Sequence, residues 1–348
     1  MTYHNGVRRI SVRYDVVRKG ARITQLHAKE PATISMIADA QLKTYITGTF
    51  AKNDVIDLLN DHIRPYLVID GVAYPLGDYI VSVAETSMQS TGQEVKIEAY
   101  DQSLIASQNR LENRASFPAG ALYIDVVQGL LQDCGITMVM ADPSSAALST
   151  VREDWEAGTA YLDIINALLA EINYKPLWFD YDGFARLQKN IAPSSSNIDF
   201  EYKADRMSIL SADATASMDI FNAPNVFIVE VSNPDLPAPL RAVSVNEDPG
   251  SILSTIRRGR RIVAPIERLD NIASQEALQE YADNKRLQSM LSTDTITFET
   301  AMEPGHGVGD VVAVHHPDFS GIYQEIEWDM TLSPGALMRH RARRLIYL

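Results

Sequence analysis

The sequence has one cysteine, Cys134, in 348 residues. That excludes an internal disulfide and a zinc site built from thiolates, and points to folding in a reducing cytoplasm. Long apolar runs are missing too: no stretch reaches the roughly eighteen residues that a membrane-spanning helix requires. Arginines near the N-terminus are followed by no apolar segment, so no secretory signal is expected. Histidine is sparse: His4, His27, His62, His306, His315, His316 and His340. Only His306, His315 and His316 are expected to lie near one another, and none has the local spacing of a metal site. No cofactor or metal is expected.

Catalytic signatures are equally thin. No Gly-x-Ser-x-Gly elbow is present. Gly305-His306-Gly307-Val308-Gly309 lacks the Lys-Ser/Thr of a nucleotide loop and reads as a turn between strands. Asp125 and Asp163 invite comparison with an acid/base pair. Each falls near a helix start, however, where a carboxylate complements the helix dipole. Cys134, at the end of an apolar helix, reads as a buried structural thiol.

What is present is an ordinary globular balance, 46% apolar and 22% charged, with a net charge of −14. Acidity of that size argues against general nucleic-acid binding, which needs phosphate-neutralising cations. The basic residues gather late, as Arg257, Arg258, Arg260 and Arg261, then as Arg339, Arg341, Arg343 and Arg344. In an acidic chain these are the candidate contacts to neighbouring subunits, with a solvated strand edge as the plainer reading.

The first hundred residues read as strands. Ile10, Val12, Tyr14 and Val16 alternate, Lys19-Gly20 turns the chain, and Arg22 to Leu26 returns. Leu42 to Gly48, Tyr66 to Leu76, Tyr79 to Thr86 and Glu94 to Tyr100 continue the pattern, with a short helix expected at Asp57 to Arg64. Past Phe117-Pro118 the period becomes helical. Tyr123-Ile124-Asp125-Val126-Val127-Gln128-Gly129-Leu130-Leu131 aligns without gaps on Tyr161-Leu162-Asp163-Ile164-Ile165-Asn166-Ala167-Leu168-Leu169. Each helix is followed by a residue suited to a left-handed cap (Gly135, Asn173) and by a strand, Ile136 to Met140 or Lys175 to Phe179. This duplicated unit is read as an α/β insertion ending in the polar stretch Ala192 to Ser196. Strands resume at Val226 to Val231, and Pro234, Pro237 and Pro239 mark a boundary. A helix capped by Ser274 then runs to Leu291, followed by further strands. The fold class expected is α+β, mainly β. Residues 1–110 form a first β-barrel, completed by about 197–240, with the insertion at 111–196. Residues 241–348 form a second barrel with a helix at about 274–291.

The order of these parts resembles the tail or baseplate hub proteins of bacteriophages and related injection machines. The likeness is carried by Leu42-Lys43-Thr44-Tyr45-Ile46-Thr47-Gly48-Thr49-Phe50, by Ile63 to Gly71 running on to Tyr74-Pro75-Leu76-Gly77, and by Glu98-Ala99-Tyr100-Asp101. It continues in Tyr174-Lys175-Pro176-Leu177-Trp178-Phe179-Asp180, Val308-Gly309-Asp310-Val311-Val312, Gly321-Ile322-Tyr323 and Leu332 to Met338. It extends over nearly the whole chain through order and spacing rather than any one motif.

The resemblance implies two tudor-like barrels per chain and a homotrimer whose six barrels form a pseudo-sixfold ring. Such a ring mates with a hexameric tail tube on one side and a trimeric spike or tip on the other, among other baseplate proteins. DNA would be only passing cargo, and an acidic chain suits a lumen that must not retain it. Assembly in the bacterial host cytoplasm and residence in the virion tail follow. Relatives with a fused lytic domain carry it after the hub; this sequence stops at Leu348, so no enzyme activity is expected. The alternatives are a tail-associated cell-wall hydrolase, and a glycan-binding module suggested by Trp155, Trp178 and Trp328. Those tryptophans sit in apolar strand contexts, which favours core packing.

Overall fold

Alternating apolar runs punctuated by turns build a mainly β chain, seen here in a computed structural model. The structure describes residues 8–90, 92–191, 196–204, 210–218, 223–231, 240–269, 272, 274–291, 294–316 and 320–344. The expected boundary at Pro234, Pro237 and Pro239, and most of the stretch Ala192 to Ser196, lie outside these residues.

The opening strands are β1 (Ile10–Arg18), β2 (Ala21–Leu26), β3 (Thr33–Ile37), β4 (Thr44–Ala51), β5 (His62–Ile69), β6 (Val72–Pro75), β7 (Tyr79–Gln89) and β8 (Gly92–Tyr100). The short helix α1 (Ser103–Gln108) follows. Lys19 and Gly20 both have positive φ, 50° and 79°, as do Asp70 and Gly71, 51° and 88°. Two left-handed residues in succession give the turn whose twist suits a two-residue hairpin, and they close β1 on β2 and β5 on β6. The helix expected at Asp57 to Arg64 is not there: turns lead into β5. Asp61 Oδ2 accepts from the Asp57 amide at 2.8 Å and Asp57 Oδ1 from the Leu59 amide at 3.0 Å. Carboxylates that satisfy nearby amides compete with helix formation, and here they prevail. Arg18 then grips Asp61 through two hydrogen bonds, at 2.6 and 2.8 Å.

The duplicated unit comprises α2 (Tyr123–Asp133), β9 (Val139–Ala141), α3 (Tyr161–Glu171), β10 (Trp178–Phe179) and β11 (Ala185–Leu187). Gly135 and Asn173 take φ of 77° and 60°. Ile136 N donates to Leu131 O and Tyr174 N to Leu169 O, both at 2.9 Å, so aligned leucines end both helices in the same way. Val127, Leu130 and Leu131 pack with Ile165, Leu168 and Leu169 in one core. The strands are shorter than expected: β9, β10 and β11 pair over only two or three residues each.

The remaining elements are β12 (Phe200–Lys203), β13 (Leu210–Met218), β14 (Val226–Val231), β15 (Leu240–Val245), α4 (Thr255–Arg258), β16 (Glu267–Leu269) and α5 (Gln275–Leu291). After them come β17 (Asp294–Ala301), β18 (Val311–His315), β19 (Gly321–Thr331) and β20 (Leu337–Arg344). Within the segment expected to complete the first barrel, the described strands pair with later elements. Strand β12 pairs with β18 and β13 with β17, while β14 forms a separate sheet with β15 and β16. The reason is apolar: Val229 and Val231 are buried beneath Leu278 and Ala282 of α5, and Tyr202 joins Phe298 and Tyr323. Ser274 caps α5, its Oγ accepting from Ala277 N at 3.1 Å.

One 14-stranded sheet runs through the chain, and β19 joins its halves. It pairs with β18 near its start, with β3 near its end and with β20 along most of its length. Between Glu325 and Glu327 the β19–β20 register shifts, placing an extra residue opposite β20. Tyr323 and Glu325 are buried before the shift, Trp328 and Met330 after it. A strand alternates faces residue by residue, so the bulge lets β19 turn successive side chains into two cores.

Leu168→Ala, at a fully buried position of the helical core, is expected to cost about 2–5 kcal/mol in urea unfolding. Arg18 holds the Asp61 carboxyl below its usual 3.8. A depressed folded value means stability present above the unfolded carboxylate range and lost as pH falls through the folded value. Asp61→Asn is therefore expected to be destabilising at neutral pH and less so near pH 3. An equal penalty at both pH values would contradict this.

Candidate functional site: a charged strand face above buried histidines

Strand β20 carries two kinds of chemistry by alternation. Met338, His340 and Ala342 point inward, whereas Arg339 and Arg341 are exposed and Arg343 is half-buried. On the outer face Arg339 stands opposite Glu299 of β17 and Asp329 of β19, and Arg341 opposite Thr297 and Glu327. Arg341 Nη1 lies 3.4 Å from Glu327 Oε2. Ser35 of β3, itself buried, donates to Asp329 Oδ1 at 2.6 Å. A shallow depression of about 320 Å³ follows these residues with Ser217, Thr295 and Thr297. Arg343 pairs with Asp39, and the Arg344 guanidinium lies 5.8 Å from the Tyr323 ring centroid.

The other predicted cluster is on α4 and the turn beyond it. Ser254 caps this short helix and Gly259 ends it at φ 64°. Arg258 is committed to the fold, its Nη1 donating to Ala223 O at 2.6 Å. Arg257, Arg260 and Arg261 are exposed, and around them Ile256, Val263 and Ile266 are 60%, 50% and 45% exposed. The predicted arginines thus form two surfaces, one on the large sheet and one beside the small β14 sheet.

Beneath β20 lies an arrangement that sequence spacing does not reveal. Glu325 Oε2 is 2.8 Å from His306 Nδ1, and Glu325 Oε1 is paired with His340 Nδ1. The far nitrogens have partners as well: His306 Nε2 with Tyr202 Oη at 2.7 Å, His340 Nε2 with Thr300 Oγ1 at 2.8 Å. Phe200 stacks on His306 at 3.8 Å between centroids and Phe298 on His340 at 4.8 Å. Asp310 Oδ2 lies 3.6 Å from His306 Nδ1. All three central residues are buried, and the two imidazoles hold the Glu325 carboxyl at about 2 against the opposing effect of burial. Asp310, penalised chiefly by burial, is pushed up to about 6.

Of the histidines expected to be neighbours, only His306 belongs to this cluster. His315 pairs instead with Glu201 at 2.8 Å on an exposed face. The inward phase of Glu325 and His340 on alternating strands bears on their burial, but not on their meeting. Asp125 and Asp163 are exposed in the first turns of α2 and α3. Cys134 is buried, and burial pushes its thiol pKa up, as expected of a structural cysteine. Trp178 and Trp328 are core residues, and Trp155 packs partly buried against the helical core.

Because Arg341 and Glu327 are both well solvated, Arg341→Ala is expected to change stability by less than about 1 kcal/mol. Denaturant midpoints check this; a larger loss would mean that the outer face holds the fold together.

No family model matches the sequence, and no curated protein matches it. Solved structures do. A tail protein from Neisseria meningitidis MC58 superposes with a TM-score of 0.67 at 14% identity, covering 97% of this chain and 98% of that one. The 43 kDa tail protein of prophage MuSo2 from Shewanella oneidensis gives 0.66 at 10% identity, covering 96% and 99%. An E. coli component of the type VI secretion system, described as structurally similar to the T4 bacteriophage tail proteins gp27 and gp5, gives 0.55 at 8% identity. It is covered over 77% of its length by 96% of this chain. With so little identity the shared property is the course of the backbone, and the chain has the fold of the phage tail proteins.

Proposed function

We propose that the chain is a structural hub subunit of a phage tail or a related injection machine, resident in the virion baseplate. The observation that carries this reading is the end-to-end match: 97% of the chain covers 98% of a tail protein. A site grafted on a shared fold can differ between proteins, so the reading rests on surfaces and assembly rather than on a pocket.

In this reading two tudor-like barrels flank the insertion at 111–196. The first is centred on residues 1–110 and the second on 241–348, with β12 and β13 contributed to the second. Three chains place six barrels in a pseudo-sixfold ring that joins a hexameric tail tube to a central spike or tip. A closed ring of heterologous contacts covers surfaces that would otherwise remain exposed. The α4 surface suits such a contact, because exposed Arg257, Arg260 and Arg261 accompany the exposed apolar Ile256, Val263 and Ile266. Arginine with apolar neighbours is the composition enriched at interface cores. Arg339 and Arg341 supply the second surface, while Arg258, Arg343 and Arg344 have partners within the chain.

Light scattering of the purified chain is expected to give three times the 38.6 kDa chain mass. Reversing Arg257, Arg260 and Arg261 to Glu together is expected to abolish the trimer while leaving the circular dichroism spectrum unchanged. A monomer at micromolar concentration that also fails to join a ring in the presence of tube and spike proteins would defeat the proposal.

A further inference from the structure

The buried cluster under β20 gathers two imidazoles about one carboxylate. Glu325 faces Nδ1 of both His306 and His340, and the far ring nitrogens meet the hydroxyls of Tyr202 and Thr300.

We propose that His306, Glu325 and His340 form a binding site for one divalent transition ion of the zinc class. The three donors, two imidazole nitrogens and a carboxylate oxygen, lie within 4.8 Å of one another on buried side chains. Two nitrogens and an oxygen match the borderline preference of zinc. The surroundings fit as well. Each ring reaches an oxygen through its far nitrogen, Tyr202 for His306 and Thr300 for His340, the outer contact that orients metal-bound imidazoles. Stacking on Phe200 and Phe298 fixes the ring planes. Glu325 has imidazoles, not lysine or arginine, as its hydrogen-bond partners, and Asp310 brings a second carboxylate 3.6 Å from His306 Nδ1. A dication balances those two carboxylates.

The ion would be structural. His306 belongs to the loop between β17 and β18, Glu325 to the bulge of β19 and His340 to β20, so coordination ties a loop to two strands. It replaces any proton on the two Nδ1 atoms, and binding releases those protons to solvent.

The test is zinc binding by the full chain after chelator dialysis. One zinc per chain by elemental analysis, retained through gel filtration, and a rise in thermal midpoint on adding zinc are expected. Cobalt(II) in place of zinc is expected to give the visible absorption of a four-coordinate nitrogen–oxygen site. His340→Gln and His306→Gln should each abolish stoichiometric binding, while His315→Gln, at the exposed Glu201 pair, should leave it intact. Substoichiometric zinc in the wild-type chain with no thermal shift would overturn the proposal. So would binding that is lost with His315→Gln, or kept in both other variants. Should those two variants fail to fold, the wild-type cobalt spectrum and stoichiometry decide.

Discussion

The structure depends on the register shift in β19. Without it, a strand whose early residues face the Tyr202–Phe298 core would turn Trp328 and Met330 towards solvent, because every side chain after Glu325 would take the opposite face. With it, one backbone serves two cores and also pairs with β3, β18 and β20. Ile326, the extra residue, is used rather than wasted: its carbonyl accepts from Ala38 N at 2.8 Å, on the loop beyond β3. Local irregularity in the ladder therefore produces continuity between the two halves of the sheet.

The same shift explains why a carboxylate is tolerated inside. Glu325 lies where the strand changes phase, between the aromatic cores, and can be reached from both the 302–310 loop and β20. Burying an ionised carboxyl is costly unless it is fully partnered. Here both oxygens are engaged by imidazoles, and those imidazoles are engaged on their far sides. The charged outer face of β20 follows from the same alternation, with Arg339 and Arg341 flanking the inward His340.

Much of this was legible in the sequence where the signal is local. The hairpins at Lys19-Gly20 and Asp70-Gly71, the paired helices from Tyr123 and Tyr161, and the cap at Ser274 all rest on contacts within a few residues. The mainly β class and the succession of strands and helices were legible for the same reason. What failed was local competition or long range. Asp57 and Asp61 looked like part of a helix until their carboxylates were seen holding backbone amides. Strands β12 and β13 have partners a hundred or so positions on or nearly so, and nothing in their own residues names them. The His306–Glu325–His340 cluster has the same origin. Its members come from a loop and two strands, and no short spacing connects them. The arginine clusters were visible as composition, but only the fold separates Arg258, spent on Ala223, from its exposed neighbours.

Strand β19 has a mechanical consequence. A chain made of two halves on a linker hinges, and force applied to one half is absorbed by the linker before the other responds. Here the halves share a ladder, Glu327 to Thr331 against Ile37 to Thr33, with β20 alongside. Relative rotation would have to shear several backbone hydrogen bonds together instead of bending a loop. The chain is thus a stiff element in series: displacement imposed at one half arrives at the other with little lost on the way.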